Sequence, residues 1–342
     1  MKYKLYSKSK KAWQAMLEEI RLAQKSVFIE MYIFSNDSSE FIELLKEKAQ
    51  AGLRVVLIAD FFGSSSLRRS TIKGLRDSGV EFLFFRKWLR NTHRKVLILD
   101  ERVVFLGGVN ISRKSKDWVD LQVKIVGPRL AKNVLKSFAR SYYLSGGKDE
   151  DLLALKRKNI FKTIKAQFLD HWPNHKIFTL QAYYKRKIIL SQTSILIVTP
   201  YFTPPKWLMF LIEDAIERGV EVEIIIPRKS DHKILDKINR AFVKRYSYLP
   251  IKFYAHNKMN HAKILVVDGQ ETLIGSQNLD FLSFNRNLES GVFIKDKKLL
   301  AELNEIISAW KRDSSDFEIN HKNLNFIERI FIGLIRIFYS IL

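Results

Sequence analysis

The chain has 342 residues, enough for two domains of ordinary size. With 46% hydrophobic residues and only 14 Gly and 7 Pro, it is neither disordered, collagenous nor low in complexity. It has no cysteine, which excludes disulfide scaffolds, zinc–thiolate sites, iron–sulfur clusters and cysteine nucleophiles. Its 59 Lys and Arg against 36 Asp and Glu give a net charge of +23, which calls for a polyanionic partner such as nucleic acid or an anionic membrane surface.

The basic N-terminus is followed by no apolar run, so no signal peptide is expected. No uninterrupted apolar stretch is long enough to span a bilayer. Trp13, Met16, Leu17 and Ile20 fall at helical spacing and predict an amphipathic helix ahead of Ser26. A buried strand over Val27–Ile33, a helix over Glu40–Ala51 and a second strand over Val55–Ala59 follow. Two short strands, Lys95–Leu99 and Val103–Leu106, then flank a tight turn at Asp100.

The same order returns further on: strands at Ile195–Val198 and Val222–Ile226 around a helix at Leu208–Arg218, then Lys263–Val267 and Thr272–Ile274 around Asp268-Gly269. Gly52 and Gly219, Tyr32 and Tyr201, and His93 and His261 are separated by 167, 169 and 168 residues. Offsets this constant predict a duplicated α/β domain with a mixed or largely parallel sheet in each copy. We divide the chain at 1–165, 166–325 and 326–342. Around the junction, Lys156–Leu190 carries nine Lys and Arg with Phe161, Phe168, Trp172, Phe178, Tyr183 and Tyr184 among them. That mixture suits lipid headgroups, single-stranded nucleic acid or an ordinary solvated helix face. The terminal segment 326–342 is mostly Ile, Leu and Phe with Glu328, Arg329 and Arg336, and is expected to lie along a bilayer surface, a docked core helix being the other reading.

The chemistry concentrates at the duplicated His-x-Lys-x4-Asp, His93, Lys95 and Asp100 in one half and His261, Lys263 and Asp268 in the other. Each His and Lys are two apart at a strand start and share a face. One such motif is weak evidence. Two at equivalent points of a duplication predict a single site on a pseudo-twofold axis. There the two ammonium groups cage a phosphate, one imidazole attacks phosphorus, and the other serves as acid and base. No metal or cofactor is expected. Asp100 and Asp268, at the turns, are read as structural ion-pair acceptors. The small-residue turns Gly107-Gly-Val-Asn110 and Gly275-Ser276-Gln-Asn278 are expected to bring backbone and the Asn110 and Asn278 amides to the anion. Asp120, 27 residues after His93, and Glu289, 28 after His261, are the candidates for orienting the imidazoles.

This duplicated motif, with its Gly-Gly-x-Asn and Gly-Ser-x-Asn turns, resembles the phospholipase D superfamily. Met31-Tyr-Ile-Phe34, Trp118-x-Asp120, Thr199-Pro-Tyr-Phe-Thr-Pro204 and Gly275-Ser-Gln-Asn-Leu-Asp280 make it most similar to the bacterial cardiolipin synthases. The resemblance runs from about Leu17 to Ile307. It implies two α/β/α sandwich domains related by a pseudo-twofold, with the active site at their interface. It also implies a phosphohistidine intermediate and transfer of a phosphatidyl group between two phosphatidylglycerols, glycerol leaving. The implied partners are phosphatidylglycerol and a membrane surface rather than nucleic acid, with the protein peripheral on the cytoplasmic face of a bacterial membrane; a monomer suffices for one site. Leu282-Ser283 stands where the family often has Arg-Ser. A hydrolytic phospholipase D, a nuclease and a non-catalytic binding module remain the alternatives.

Overall fold

The structure is a computed structural model that describes residues 2–88, 90–156 and 166–317. The expected membrane-surface segment 326–342, and Phe161 of the basic junction, lie outside the described residues.

In the first half the chain runs β1 (Lys2–Lys8), α1 (Ser9–Leu22), β2 (Ser26–Met31), α2 (Ser39–Gln50), β3 (Arg54–Asp60), α3 (Arg69–Asp77), β4 (Glu81–Phe85), β5 (Lys95–Leu99), β6 (Val103–Gly107), β7 (Val119–Val126), α4 (Pro128–Leu144) and α5 (Glu150–Leu155). The second half runs β8 (Ala166–Trp172), β9 (Ile177–Phe178), α6 (Thr179–Ile189), β10 (Ser194–Val198), α7 (Lys206–Glu217), β11 (Glu221–Pro227), α8 (Lys233–Arg245), β12 (Ile251–His256), β13 (Ile264–Val267), β14 (Glu271–Gly275), α9 (Phe281–Asn285), β15 (Glu289–Ile294), α10 (Lys297–Arg312) and β16 (Ser314–Asp316).

Each half holds one mixed sheet. The strand orders are β1-β7-β6-β5-β2-β3-β4 and β16-β12-β11-β10-β13-β14-β15-β8-β9. Only β2-β3-β4 and β10-β11-β12 are parallel, each step crossing over through one helix (α2, α3, α7 or α8); the other neighbouring strands pair antiparallel. β2 and β5, buried along their whole length, are apolar almost throughout, as strands covered on both faces must be.

The outer face of the first sheet packs on α1, α2 and α3 through Trp13, Met16, Ile20, Phe41, Leu45 and Leu75. The outer face of the second packs on α6, α7 and α8 through Tyr184, Leu208, Ile212 and Phe242. The two inner faces share one core: Val104, Leu106 and Leu121 lie in the same cluster as Ile264, Ile274 and Val292, with Phe138 of α4 and Leu303 of α10 between them. Phe168, Trp172 and Tyr184 of the basic junction are buried in this framework, so its aromatic residues do not form a continuous surface patch. Among the described residues no helix is long and apolar enough to cross a membrane.

Candidate active site

Two short backbone bridges tie the halves together immediately before the motif strands. His93 N–H donates to Leu288 O at 2.9 Å, and Leu288 N–H donates to Asn91 O at 2.9 Å. The mirror pair is His261 N–H to Val119 O at 2.7 Å and Val119 N–H to Met259 O at 3.0 Å. Each bridge sets the residue after Leu288 or Val119 beside the histidine of the opposite half. The carboxylates therefore cross: His93 Nδ1 lies 3.0 and 3.1 Å from the Glu289 oxygens, and His261 Nδ1 lies 2.8 Å from Asp120 Oδ2. The near-equal sequence spacing within each half thus reflects an exchange of equivalent groups between the halves. A carboxylate fixes the proton on Nδ1 and leaves Nε2 as the lone-pair nitrogen.

The two acids are held differently. Ser276 Oγ donates to one Glu289 oxygen and Ser283 Oγ donates to the other at 2.8 Å. Asp120 is shorter and sits against Gly108, where a Cβ would fall 2.1 Å from Asp120 Oδ1. The small residues of the two turns therefore make room for, or bond to, the orienting carboxylates. This differs from the expectation that they bring backbone to the anion. Burial favours a neutral Glu289, but His93, Lys95 and Ser276 together outweigh it and keep the group ionised.

Lys95 and Lys263 are fully buried, each donating to the backbone oxygen of the histidine two residues before it. Burial and the neighbouring Lys263 push the Lys95 ammonium well below its ordinary range; burial brings Lys263 down to about 8. Burial also lowers both imidazoles, His93 to about 4, with the lysines adding to the effect. Lys263 acts on His93 and Lys95 acts on His261, so the charges of the two halves work on a single site. An anion among these groups raises the affinity of each for its proton.

The two turn asparagines are engaged differently. Asn110 Oδ1 accepts from Ile33 N–H at 3.3 Å. Asn278 donates to Asp280, which takes up one of its two amide N–H groups, and its Oδ1 is buried without a partner among the described residues. Asp100 and Asp268 lie at the far ends of β5 and β13. For Asp100 that is about 17 Å of strand beyond Lys95. Among the described residues neither forms the ion pair expected of it. Asp100 accepts backbone N–H groups from Gln24, Lys25 and Ser26 at 2.8–3.0 Å, and Asp268 accepts those of Gln192, Thr193 and Ser194 at 2.8–3.1 Å. They pin the hairpins to the starts of β2 and β10 and stand away from the reacting groups.

Four further residues lie at or behind the site and are not among those expected there from the sequence. The Tyr32 ring stands edge-on to His93 at 4.7 Å, with Lys95 Nζ 4.8 Å from its centroid. Trp118 packs on His261 at 5.3 Å. Ser283 holds Glu289. Arg94, between His93 and Lys95 in sequence, points the other way: its Nη1 donates to Ser141 Oγ at 3.1 Å, its Nη2 to Asp170 at 2.5 Å and its Nε to Glu289 O at 3.3 Å. Tyr32 and Trp118 stand in stretches that resemble the family, and a reading of those stretches for ring contacts could have found them.

The family described as cardiolipin synthase, PLD-like domain, matches the chain twice, over residues 16–142 and 184–310. A cardiolipin synthase of Clostridium perfringens strain SM101 is 30% identical over 329 residues, covering 88% of this chain and 68% of that protein. The minor cardiolipin synthase ClsB of Bacillus subtilis strain 168 is 28% identical over 326 residues, covering 85% of this chain and 76% of its own. Among solved structures, phosphatidylserine synthase of Haemophilus influenzae superposes with a TM-score of 0.75 over 99% of this chain and 93% of that one; at 17% identity this speaks for the fold. The duplicated motif, the crossed imidazole–carboxylate pairs and the two family matches agree: the chain belongs to the cardiolipin synthase family of phospholipase D-like phosphatidyltransferases.

Proposed function

We propose that the protein joins two phosphatidylglycerols into diphosphatidylglycerol through a phosphohistidine and releases glycerol. His93 is the nucleophile in this reading, because Glu289, fixed by Ser276, Ser283 and the ring itself, holds its Nδ1–H between two oxygens. His93 Nε2 attacks the donor phosphorus, the P–O bond to the glycerol headgroup breaks, and protonated His261 gives its proton to the leaving alkoxide. His261, now neutral, takes the proton of the acceptor hydroxyl. That oxygen attacks phosphorus, the P–N bond breaks, and both histidines return to their starting state. Bound phosphate raises the affinity of His261 for the proton it must carry into the first step. Lys95, Lys263 and the Asn110 amide nitrogen stabilise the charge on the transferring phosphoryl oxygens.

The observation that carries this reading is the crossed pairing of two imidazoles with two carboxylates around two buried lysines. Nothing simpler explains why the core buries both ammonium groups. The test is thin-layer chromatography of labelled phosphatidylglycerol after incubation. Diphosphatidylglycerol with free glycerol is expected. Phosphatidic acid alone would make the enzyme a hydrolase, and an unchanged lipid alongside nicked plasmid would make it a nuclease.

A further inference from the structure

The loops leaving the equivalent strands β3 and β11 reach the same end of the molecule as the two histidines. In the first half, Ser64 Oγ donates to Tyr32 O at 2.9 Å, and the Tyr32 ring lies on His93. Thr92 N–H, beside His93, donates to Asp60 Oδ2 at 2.8 Å, which ties the segment after β4 to the loop after β3. These two connections carry Phe62, 54% exposed, and Trp88, 84% exposed. Across the pseudo-twofold, Tyr201 is the counterpart of Tyr32 and donates to Asp231 at 2.7 Å; Ile234, three residues on, is 63% exposed. Large apolar side chains held in water around one cleft lose free energy unless something covers them.

The exposed charges beside them are mostly cations. Arg68, Arg69 and Arg86 are exposed, with the Arg86 guanidinium 4.4 Å from the Phe61 ring centroid. Arg228, Lys229 and Lys233 are exposed on the other side. The carboxylates in these loops are already engaged: Asp60 accepts from Phe62, Gly63 and Thr92 N–H, Asp231 accepts from Tyr201, and Asp236 accepts from Ser230 N–H. An indole and a phenyl ring ringed by cations match the headgroup layer of a bilayer, where aromatic residues settle and each nearby Lys or Arg adds attraction to anionic lipid.

We propose that this rim, with Phe62 and Trp88 on one side and Ile234 on the other, docks the enzyme cleft-first onto an anionic bilayer. The donor headgroup then reaches His93 while its acyl chains stay in the membrane. The inference rests on the phosphatidyl-transfer reading for its substrate, but its test does not.

The chain lacks cysteine, so a single cysteine placed in the full chain can be labelled cleanly. Trp88→Cys carrying a polarity-sensitive fluorophore is mixed with vesicles of phosphatidylglycerol and phosphatidylethanolamine. Leu22→Cys, 63% exposed at the end of α1 and so at the opposite ends of the strands, is the control. The expected result is a severalfold rise in emission at position 88, quenched by a lipid-embedded quencher, with none at position 22. In parallel, Phe62→Ala/Trp88→Ala is expected to lower turnover of vesicular phosphatidylglycerol about tenfold and leave turnover of a water-soluble phosphodiester within about twofold. No response at position 88 while the protein sediments with the vesicles would overturn the proposal. So would equal loss on both substrates, which would place the two side chains inside the reaction, or a response to single-stranded DNA in place of vesicles. A response at position 88 in an enzyme that converts no phospholipid would uphold the docking and refute the transfer reading.

Discussion

At Lys263 the protein trades stability for charge. Burial lowers its ammonium to about 8, against about 10.5 in an unfolded chain. Between those values the unfolded state holds more protons, so stability rises with pH across that window. Lys263→Met removes the buried cation, and the melting temperature at pH 7 is expected to rise by several degrees while turnover falls at least a thousandfold. Thermal melts from pH 7 to 10.5 check this: the alkaline rise should shrink in the variant, and a lower melting temperature at pH 7 would contradict the account. The histidines offer a second test, because the crossed pairing names which acid serves which ring. Glu289 supports the charged form of His93. Glu289→Gln is therefore expected to lower the His93 pKa further and shift its ring resonances, while Asp120→Asn should act first on His261. Histidine NMR titrations of both variants read this directly; the opposite assignment would mean that the acids serve their own halves.

At the scale of elements, the hairpins explain why the motif ends in Asp. Asp100 and Glu101 have φ of 50° and 52°, and Asp268 and Gly269 have 52° and 61°. Two successive left-handed residues suit Asp-Gly, whereas Glu101 adopts that conformation at a cost of about 1 kcal/mol. Glu101→Gly is expected to raise stability by a few tenths to 1 kcal/mol without changing turnover, measured by urea denaturation. Asp100→Ala should lower stability and spare the chemistry, since its carboxylate only gathers backbone N–H groups.

Much of this level was readable in the sequence, because apolar strands, the Asp-Gly turn and the duplicated motif are local patterns. The anticipated strand over Val27–Ile33 appears as β2, and the Trp13–Ile20 periodicity as α1. The crossed carboxylates were not readable, since 196 residues separate His93 from Glu289 and only the backbone bridges bring them together. The ion pairs expected at Asp100 and Asp268 were replaced by backbone donors that no side-chain pattern announces. The aromatics of 156–190 misled for a related reason: β8 joins the second sheet and buries Phe168 and Trp172.

The whole molecule depends on an asymmetric bolt between its halves. Arg94, immediately before β5, reaches Asp170 on β8, which Ser137 and Arg140 of α4 also bind, and its guanidinium lies 5.8 Å from the Trp172 ring centroid. The equivalent position in the second half is Ala262, so the duplication supplies no second bolt. A buried charge left wholly unpaired costs about 3–5 kcal/mol, but Arg140 and Ser137 still hold Asp170 when Arg94 is removed. Arg94→Ala is therefore expected to lose less than that by denaturant titration, chiefly the packing and hydrogen bonds of the guanidinium itself. It should also reduce turnover, because Arg94 holds the backbone oxygen of the residue that orients His93.

The central claim, that both halves build one site in which His93 carries the phosphatidyl group, is tested most directly by trapping. Phosphatidylglycerol labelled at phosphorus is mixed with the enzyme, quenched in alkali and digested, and the labelled peptide is mapped. The account predicts a phosphohistidine at His93, absent in His93→Ala; in His261→Ala, which lacks the acid of the first step and the base of the second, any label that forms should still map to His93. Label at His261, or at no histidine while product accumulates, would contradict it.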